Sequence, residues 1–136
     1  MIEAYSNNVT VLANADVPLN VVSLVKGCTA TASGTSTINL NKYGIYYVSV
    51  NATAIATTAG PITLQINVNG TPKADAIQTE TAADTTSSHA LSFSTLVQVA
   101  ENNSCSPCTS PTAINVQNVG EGVTLSNINV VVTKVK

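Results

Sequence analysis

The chain has 136 residues, of which 9% are charged and 44% hydrophobic, and its formal net charge is −2. Such a length predicts one domain, residues 1–136, that buries roughly two thirds of its unfolded surface and requires no metal or disulfide for a stable core. The basic residues are dispersed lysines, so no basic stripe predicts nucleic-acid binding. They are Lys26, Lys42, Lys73, Lys134 and Lys136.

The beginning of the chain, "MIEAYSNNVTVLANADV", carries Glu3 where a signal peptide has basic residues, and it lacks a long apolar run. These features predict a protein made in a cytoplasm, with no membrane partner. An intracellular origin lowers the expectation of disulfides among Cys28, Cys105 and Cys108, although a virion or spore-coat protein is made inside and later exposed, which leaves oxidation after release open.

Shorter strands are expected first along the chain, in "NNVTVLA", "NVVSLV" and "STINLN". The first long strand covers residues 44–56, where strict alternation predicts an inward face and an outward face. Tyr46, Val48 and Val50 lie on the inward face, and Tyr47 points the other way. A buried tyrosine needs a partner for its hydroxyl group, whereas an outward one is available for a contact between subunits.

The segment 60–70, "GPITLQINVNG", begins at a Gly-Pro breaker and ends at the turn signal Asn69-Gly70. Residues 73–86 lack an apolar stripe, which favours an irregular connection or an edge strand over a helix. In residues 88–100, alternation places Leu91, Phe93 and Val97 on one face.

Residues 112–118 and 123–136 complete the pattern, and Val130 and Val132 are among the apolar positions of the last strand. A bulge near Ser126 or Asn127 is needed to keep its alternation in phase. The chain therefore predicts an all-β, two-sheet antiparallel jelly-roll sandwich of about eight to ten short strands.

The order of three motifs carries a family resemblance: "NKYGIYYVSVNATA", an "ITLQINVNG" strand, and a final "VTLSNINVVVTKV" strand. This order resembles the trimeric jelly rolls of the tumour-necrosis-factor and complement-globular-head superfamily, particularly its bacterial and bacteriophage branch. Gly44, Tyr46, Val48 and Val50 occupy the places of that family's G-x-Y-x-F-x-Y motif, with valines replacing the last two aromatics. The family's usual Gly-Asp turn is replaced by "AENNSCSPCTSP".

The resemblance implies a homotrimer in which apolar residues of one sheet face the threefold axis. A trimer interface and a core look alike in an alternating pattern, so the candidate trimer or core packing residues form one set. They are Tyr46, Tyr47, Val48, Val50, Leu91, Phe93, Val97, Val130 and Val132.

Cys105 and Cys108 have the spacing of redox and zinc motifs, and only Cys28 and His89 remain to complete a tetrahedral zinc site. A loop with free thiols or a local disulfide is the simpler interpretation, and we predict no cofactor. A thioredoxin-type role requires a helix in a βαβ unit, which the sequence lacks.

His89 is expected at the edge of the core or near a trimer axis, where it could make assembly sensitive to mild acid. As a general base it lacks a matching nucleophile and carboxylate. Asp75, Glu80 and Asp84 fall in one presumed loop, where calcium binding is the alternative to simple solvation. No catalytic motif is present, so we predict that the protein is not an enzyme.

The sequence and the resemblance together favour a surface-displayed structural or attachment module, most specifically a bacteriophage virion protein such as a head fibre or decoration protein. Its partners would be further copies of itself, other virion or surface proteins, and a glycan or host-surface receptor. The alternative is the head of a bacterial cell-surface or spore-surface adhesin that binds a glycan or protein receptor.

Overall fold

A computed structural model of the chain describes residues 1–100 and 112–136. These residues form ten β-strands. In chain order they are β1 (Ile2–Val11), β2 (Val21–Val25), β3 (Ala30–Ser33), β4 (Thr37–Leu40), β5 (Gly44–Ala56), β6 (Gly60–Val68), β7 (Thr71–Ala82), β8 (Ser88–Val99), β9 (Thr112–Asn118) and β10 (Val123–Lys134).

The strands form two antiparallel sheets of five strands each. The first sheet has the order β2-β1-β10-β5-β8, and the second has the order β3-β4-β9-β6-β7. Non-consecutive strands are neighbours in both sheets, as they are in a jelly roll, so the predicted fold class is confirmed. No helix in the described part of the chain is long and apolar enough to cross a membrane.

The predicted alternation is confirmed in the long strands. β5 and β9 have the expected bounds, and β6 ends at the expected turn, where Asn69 and Gly70 both have positive φ angles of 51° and 80°. Two successive positive φ angles are the signature of a type I′ hairpin turn, which explains why Asn-Gly stands there.

The predicted bulge in the last strand is also confirmed, because the pairing of β10 with β5 shifts between Leu125 and Asn127. The hydroxyl group of Ser126 donates to the carbonyl oxygen of Thr53 across the irregularity. β1 stays in register with β10 here, and Asn8, opposite the bulge, has a φ angle of 53°. The bulge therefore spans two neighbouring strands and returns the apolar side chains of both to the core.

Three segments differ from the sequence-based prediction or choose between its alternatives. β1 begins at Ile2, earlier than expected, and β3 was not predicted at all because "ATAS" has almost no apolar contrast. The segment 73–86 contains most of β7, which is the edge strand of the second sheet and not an irregular connection.

The core lies between the two sheets and consists mainly of Val, Ile, Leu and Ala side chains. Tyr46 is its largest fully buried side chain. Its hydroxyl oxygen lies 2.8 Å from the carbonyl oxygen of Lys42 and 3.1 Å from that of Thr29, and it accepts from the backbone N–H of Lys42. The hydroxyl partner expected of a buried tyrosine is thus present.

Candidate functional site

The first sheet carries exposed apolar side chains at both of its edges. At one edge, β2 is exposed along its whole length, and the exposed fractions of Leu24 and Val25 are 42% and 51%. At the other edge, Leu96 of β8 is 55% exposed and is paired with Tyr47 of β5, which is 41% exposed. We call these the β2 edge (Val21, Val22, Leu24 and Val25) and the β8 edge (Tyr47 and Leu96).

Between the two edges, the outward face of this sheet is mainly polar, with half-buried apolar side chains such as Tyr5 and Val131. The side-chain amide of Asn129 donates to Oε1 of Glu3 at 2.8 Å, and the hydroxyl group of Ser92 donates to Oδ1 of Asn51 at 2.6 Å. This differs from the apolar sheet face that the resemblance implies. The exposed apolar surface is divided between two separate edges because the central positions hold Asn, Ser and Thr.

The candidate packing residues occupy two environments. Those on the inward face are buried in the core of the chain itself. They are Tyr46, Val48, Val50, Leu91, Val97, Val130 and Val132. Phe93 is partly buried against the same core, and Tyr47 is exposed on the outward face. Of the whole set, Tyr47 is the one exposed side chain and thus the one available to a neighbouring subunit.

Sequence reasoning missed the β2 edge and Leu96 as contact candidates. The signal was present in "NVVSLV", where valine and leucine occupy both faces of a short strand, so one of the two faces has to remain outside the core. Leu96 follows Thr95 in β8, on the opposite face from the predicted apolar set.

The four possible zinc ligands do not come together among the described residues. Cys28 is exposed and adjoins Thr29, whose carbonyl oxygen lies beside the hydroxyl group of Tyr46. His89 is paired with Ala54 in the same strand as Tyr46, eight residues further along, which is a separation of about 25 Å. One ion cannot bind both side chains. Cys105 and Cys108, including any disulfide between them, lie outside the described residues.

The three carboxylates of the possible calcium loop are also separated, so that alternative is wrong. Asp75 and Glu80 lie in β7, and Asp84 lies in the turn that follows it. The described residues contain no group of three or more His, Cys, Asp or Glu side chains that could hold a metal ion. The positions form a strand and a turn, not one loop.

Two of these carboxylates have local partners that lower their pKa. The Lys73 ammonium group, 2.6 Å from Oδ1 of Asp75, lowers the pKa of Asp75 mainly through a hydrogen bond. The backbone N–H groups of Ser87 and Thr86 donate to Oδ1 of Asp84 and lower the pKa of that carboxyl group. Asp84 thus stabilises the turn between β7 and β8 through these hydrogen bonds.

His89 lies on the inward side of β8, in line with Leu91, and is half-buried. Its Nε2 atom is buried and has no hydrogen-bond partner among the described residues. The interior holds a cavity of about 10 Å³ lined almost entirely by aliphatic side chains such as Val48 and Ile66. This cavity is large enough for a water molecule and too small for a substrate.

The lysines are dispersed in the sequence but lie together in the fold. Lys26 exchanges backbone hydrogen bonds with Met1 beside the start of β1. Lys42 contacts the hydroxyl group of Tyr46, Lys134 is paired with Tyr46, and the carbonyl oxygen of Lys136 accepts from the N–H of Ile45. These contacts place Lys26, Lys42, Lys134 and Lys136 around the start of β5.

Lys73 lies at the same end of the sandwich. It lines an open groove of about 490 Å³ together with Leu96 and Gln98, and Gln98 is paired with Ile45 at the start of β5. We call this end the lysine end (Lys26, Lys42, Lys73, Lys134 and Lys136).

No family model matches the sequence, and no curated protein matches it significantly. Solved structures do match it. The structure of Eiger TNF from S. frugiperda superimposes with a TM-score of 0.70 at 12% identity, covering 99% of this chain and 92% of that one. The PRD1 vertex protein P5 gives a TM-score of 0.61 at 18% identity, covering 99% and 96%.

The globular domain of the zebrafish complement 1qA protein is a third similar structure, with a TM-score of 0.65 at 9% identity over 95% of this chain and 92% of that one. Identities this low establish a common fold and no more. The two five-stranded sheets and these similarities agree with the resemblance drawn from the motifs around Gly44 and Tyr46. The chain therefore has the tumour-necrosis-factor-like jelly-roll fold that is shared with complement globular heads.

Proposed function

We propose that this protein is a non-enzymatic, homotrimeric module displayed on a particle surface, where it serves a structural or attachment role. The most specific form of the proposal is a bacteriophage virion protein of the head-fibre or decoration type. Its partners are two further copies of itself, neighbouring proteins of the particle and a receptor on the host surface.

The observation that carries the trimer is the pair of unlike apolar edges on one sheet. A twofold dimer uses one patch that fits itself, whereas two different patches on opposite edges fit a head-to-tail contact that closes into a ring. The β2 edge of one subunit meets the β8 edge of the next in such a ring. A ring of three is the assembly implied by the family resemblance.

The energetics support burial of these edges. An exposed edge strand with consecutive apolar side chains is a site of uncontrolled pairing unless something covers it. Full burial of a Val or Leu side chain contributes about 1.5 to 3 kcal/mol relative to full exposure. Each of the four side chains of the β2 edge is roughly half exposed in the single chain. Burial of that exposed part on association therefore contributes about 1 kcal/mol per side chain.

A different observation supports the proposal that the protein is displayed on a particle. A vertex protein is among the structurally similar proteins, and it matches over nearly all of both chains. The polar central face of the first sheet supports a structural role, because Asn129, Glu3, Asn51 and Ser92 bind one another in pairs and do not converge on a cavity. An adhesin head on a bacterial cell or spore is the second candidate, supported by the globular-head similarity.

The first experiment is the solution mass, measured by light scattering or sedimentation equilibrium with and without reductant. We expect three times the 13.9 kDa of the chain, unaffected by reductant. Leu24→Glu places a charge in the β2 edge and should yield monomers at the same concentration. Leu12→Glu is the matched control, since Leu12 is 72% exposed and lies outside both edges, and it should remain trimeric. A monomeric wild type, or equal disruption by both variants, would contradict the proposal.

The second experiment locates the protein. Antibodies against the folded trimer should label purified virions from the producing culture in electron micrographs. Labelling of cell walls or spores, with unlabelled virions, would replace the virion assignment by the adhesin assignment and leave the trimer unaffected.

A further inference from the structure

The lysines lie at one end of the sandwich, whereas the carboxylates of the described residues lie at both ends. All the lysines lie at the lysine end, and there is no arginine elsewhere. Glu80, Asp84 and Glu121 lie toward the opposite end: Glu80 is paired with Ile62 near the start of β6, and the side chain of Glu121 lies beside Gly60. Glu3 and Asp75 also lie at the lysine end, so its five lysines are partly balanced, and positive charge remains in excess there among the described residues.

Little of the positive charge at the lysine end is neutralised locally. Lys73 is paired with Asp75 at 2.6 Å, and this is the one salt bridge that the described residues form. Lys26, Lys42 and Lys136 are exposed. Among the described residues, Glu3 is a further carboxylate in this part of the fold, and it accepts from Asn129 on the outward face of the first sheet.

The antiparallel topology explains why the lysines lie together at one end. Lys26 follows β2, Lys42 precedes β5, and Lys134 ends β10, and these three points in the sequence lie at one end because the strands alternate in direction. Exposed like charges that are gathered at one end repel one another, and this repulsion lowers the stability of the fold. An anionic partner offsets that cost.

We propose that the lysine end binds an anionic polysaccharide, a polymer with phosphate, sulfate or carboxylate groups at intervals along a sugar chain. This deepens the attachment role of the proposed function by naming the class of ligand and the end of the molecule that meets it. In a trimer whose axis runs along the strands, three lysine ends lie side by side and bind one polymer multivalently.

The chemistry of this end favours a polysaccharide over the other polyanions. Lysine is a flexible point charge that suits isolated anionic groups, whereas arginine is preferred for bidentate recognition of phosphates in nucleic acids. Single-stranded nucleic acids stack successive bases on several aromatic side chains, and Tyr47 is the one exposed aromatic residue among the described residues. Amphipathic helices bind membrane surfaces through Trp, Phe and Leu on one face, and the described residues form strands and no helix.

The test uses dextran sulfate and neutral dextran of equal length as immobilised probes for the intact protein. We expect binding to dextran sulfate alone, with an affinity that falls roughly 10- to 50-fold between 50 and 200 mM salt, because bound lysines release the counterions of the polymer. Equal binding to both dextrans, or no binding to either at 50 mM salt, overturns the proposal.

The variant K26Q/K42Q/K136Q neutralises three exposed lysines and should weaken the binding by about tenfold or more. D84N/E121Q is the control: it removes charges from the opposite end and should not weaken it. An equal loss in both variants would show attraction by net charge alone and overturn the assignment to the lysine end. Far-UV circular dichroism and solution mass confirm that each variant is folded. The salt dependence of wild-type binding tests the proposal even if a variant fails to fold.

Three further probes decide the class of polymer. A 20-base-pair DNA duplex, a single-stranded oligonucleotide and vesicles containing anionic phosphatidylglycerol are compared with dextran sulfate at equal charge concentration. Tighter lysine-dependent binding to any of these three replaces the polysaccharide by nucleic acid or membrane. A trimer that ignores dextran sulfate overturns this inference alone, whereas lysine-dependent binding by a monomer supports it and overturns the trimer.

Discussion

At the scale of single residues, the stretch around Gly44 and Tyr46 shows how a short motif closes one end of the sandwich. Gly44 has a φ angle of 136°, and a Cβ atom there would overlap the carbonyl oxygen of Lys136 and lie 2.7 Å from the side chain of Lys134. Tyr46, two residues later, fills the core and binds the loop before β5 through its hydroxyl group. Glycine and tyrosine thus have separate physical roles: close approach of backbone, and a buried ring with a polar tip.

Gly44→Ala should therefore lower the free energy of unfolding by about 2 kcal/mol more than Gly70→Ala. Both glycines have positive φ angles, but a Cβ atom at Gly70 meets nothing within 4 Å, so the difference isolates the close approach at Gly44. Urea unfolding at one protein concentration measures it. Equal losses in the two variants would mean that the backbone at the end of β10 moves away freely.

Asp84→Asn should make the protein less stable at neutral pH and leave it unchanged in strong acid. The pKa of Asp84 is lowered from 3.8 by the N–H donors of Ser87 and Thr86, so its charged form is stabilised in the folded state. That contribution is present above pH 3.8 and is lost as the pH falls below this value toward the folded-state pKa. The stability difference between wild type and variant, measured by thermal unfolding at several pH values, should shrink over that window. A difference that persists unchanged at about pH 2 would contradict the assignment.

At the scale of elements, the outward face of the second sheet is held by a network of amide side chains. Asn67 donates to Oε1 of Gln117 at 2.8 Å, Gln65 donates to Oδ1 of Asn67 at 3.0 Å, and Gln117 donates to the carbonyl oxygen of Asn14 at 3.0 Å. Gln65 and Asn67 are buried although they point away from the core. The network joins β6 and β9 to the segment between β1 and β2.

Gln117→Leu should lower the free energy of unfolding by about 1 to 3 kcal/mol, because it leaves the buried amide of Asn67 without its acceptor. Asn39→Leu is the control on the same face, since the described contacts give its side chain no part in this network. Chemical denaturation measures both variants. Equal stability of Gln117→Leu and wild type would show that water replaces the lost acceptor.

At the scale of the whole molecule, the unlike edges of the first sheet and the lysine end are two surfaces with different proposed roles. In the proposed assembly the edges make the contacts between subunits, and the lysine end meets a ligand. Leu96 and Lys73 line the same groove, so the two surfaces adjoin at the end of β8. In the proposed assembly the lysine ends therefore lie beside the subunit contacts.

The thermal midpoint of unfolding should rise with protein concentration, because the associated form gains stability by mass action. Leu24→Glu should have a lower midpoint at high concentration and no dependence on concentration. Differential scanning calorimetry over a hundredfold range of concentration tests this. A wild-type midpoint that is independent of concentration would contradict assembly through the β2 edge.

The sequence by itself determined the sandwich, the long strands and the bulge. Alternation has a period of two, so an uninterrupted pattern such as residues 44–56 specifies both strand and inward face, and the break in phase at Ser126 specifies the bulge. The turn at Asn69 and Gly70 was equally predictable, because few other residue pairs adopt two positive φ angles. β3 was not predictable, since "ATAS" carries no periodic signal.

Only the tertiary structure decided which apolar residues are left outside the core and which charges lie together. Val48 and Leu24 look alike in an alternating pattern, and the position of each strand in its sheet makes one buried and the other exposed. Lys26 and Lys134 are far apart in the sequence, and the alternating directions of the strands bring them to one end. The local sequence pattern specifies which face of a strand each side chain occupies. Which residues of different strands lie close together depends on the order of the strands in the sheets, and no local pattern specifies that order.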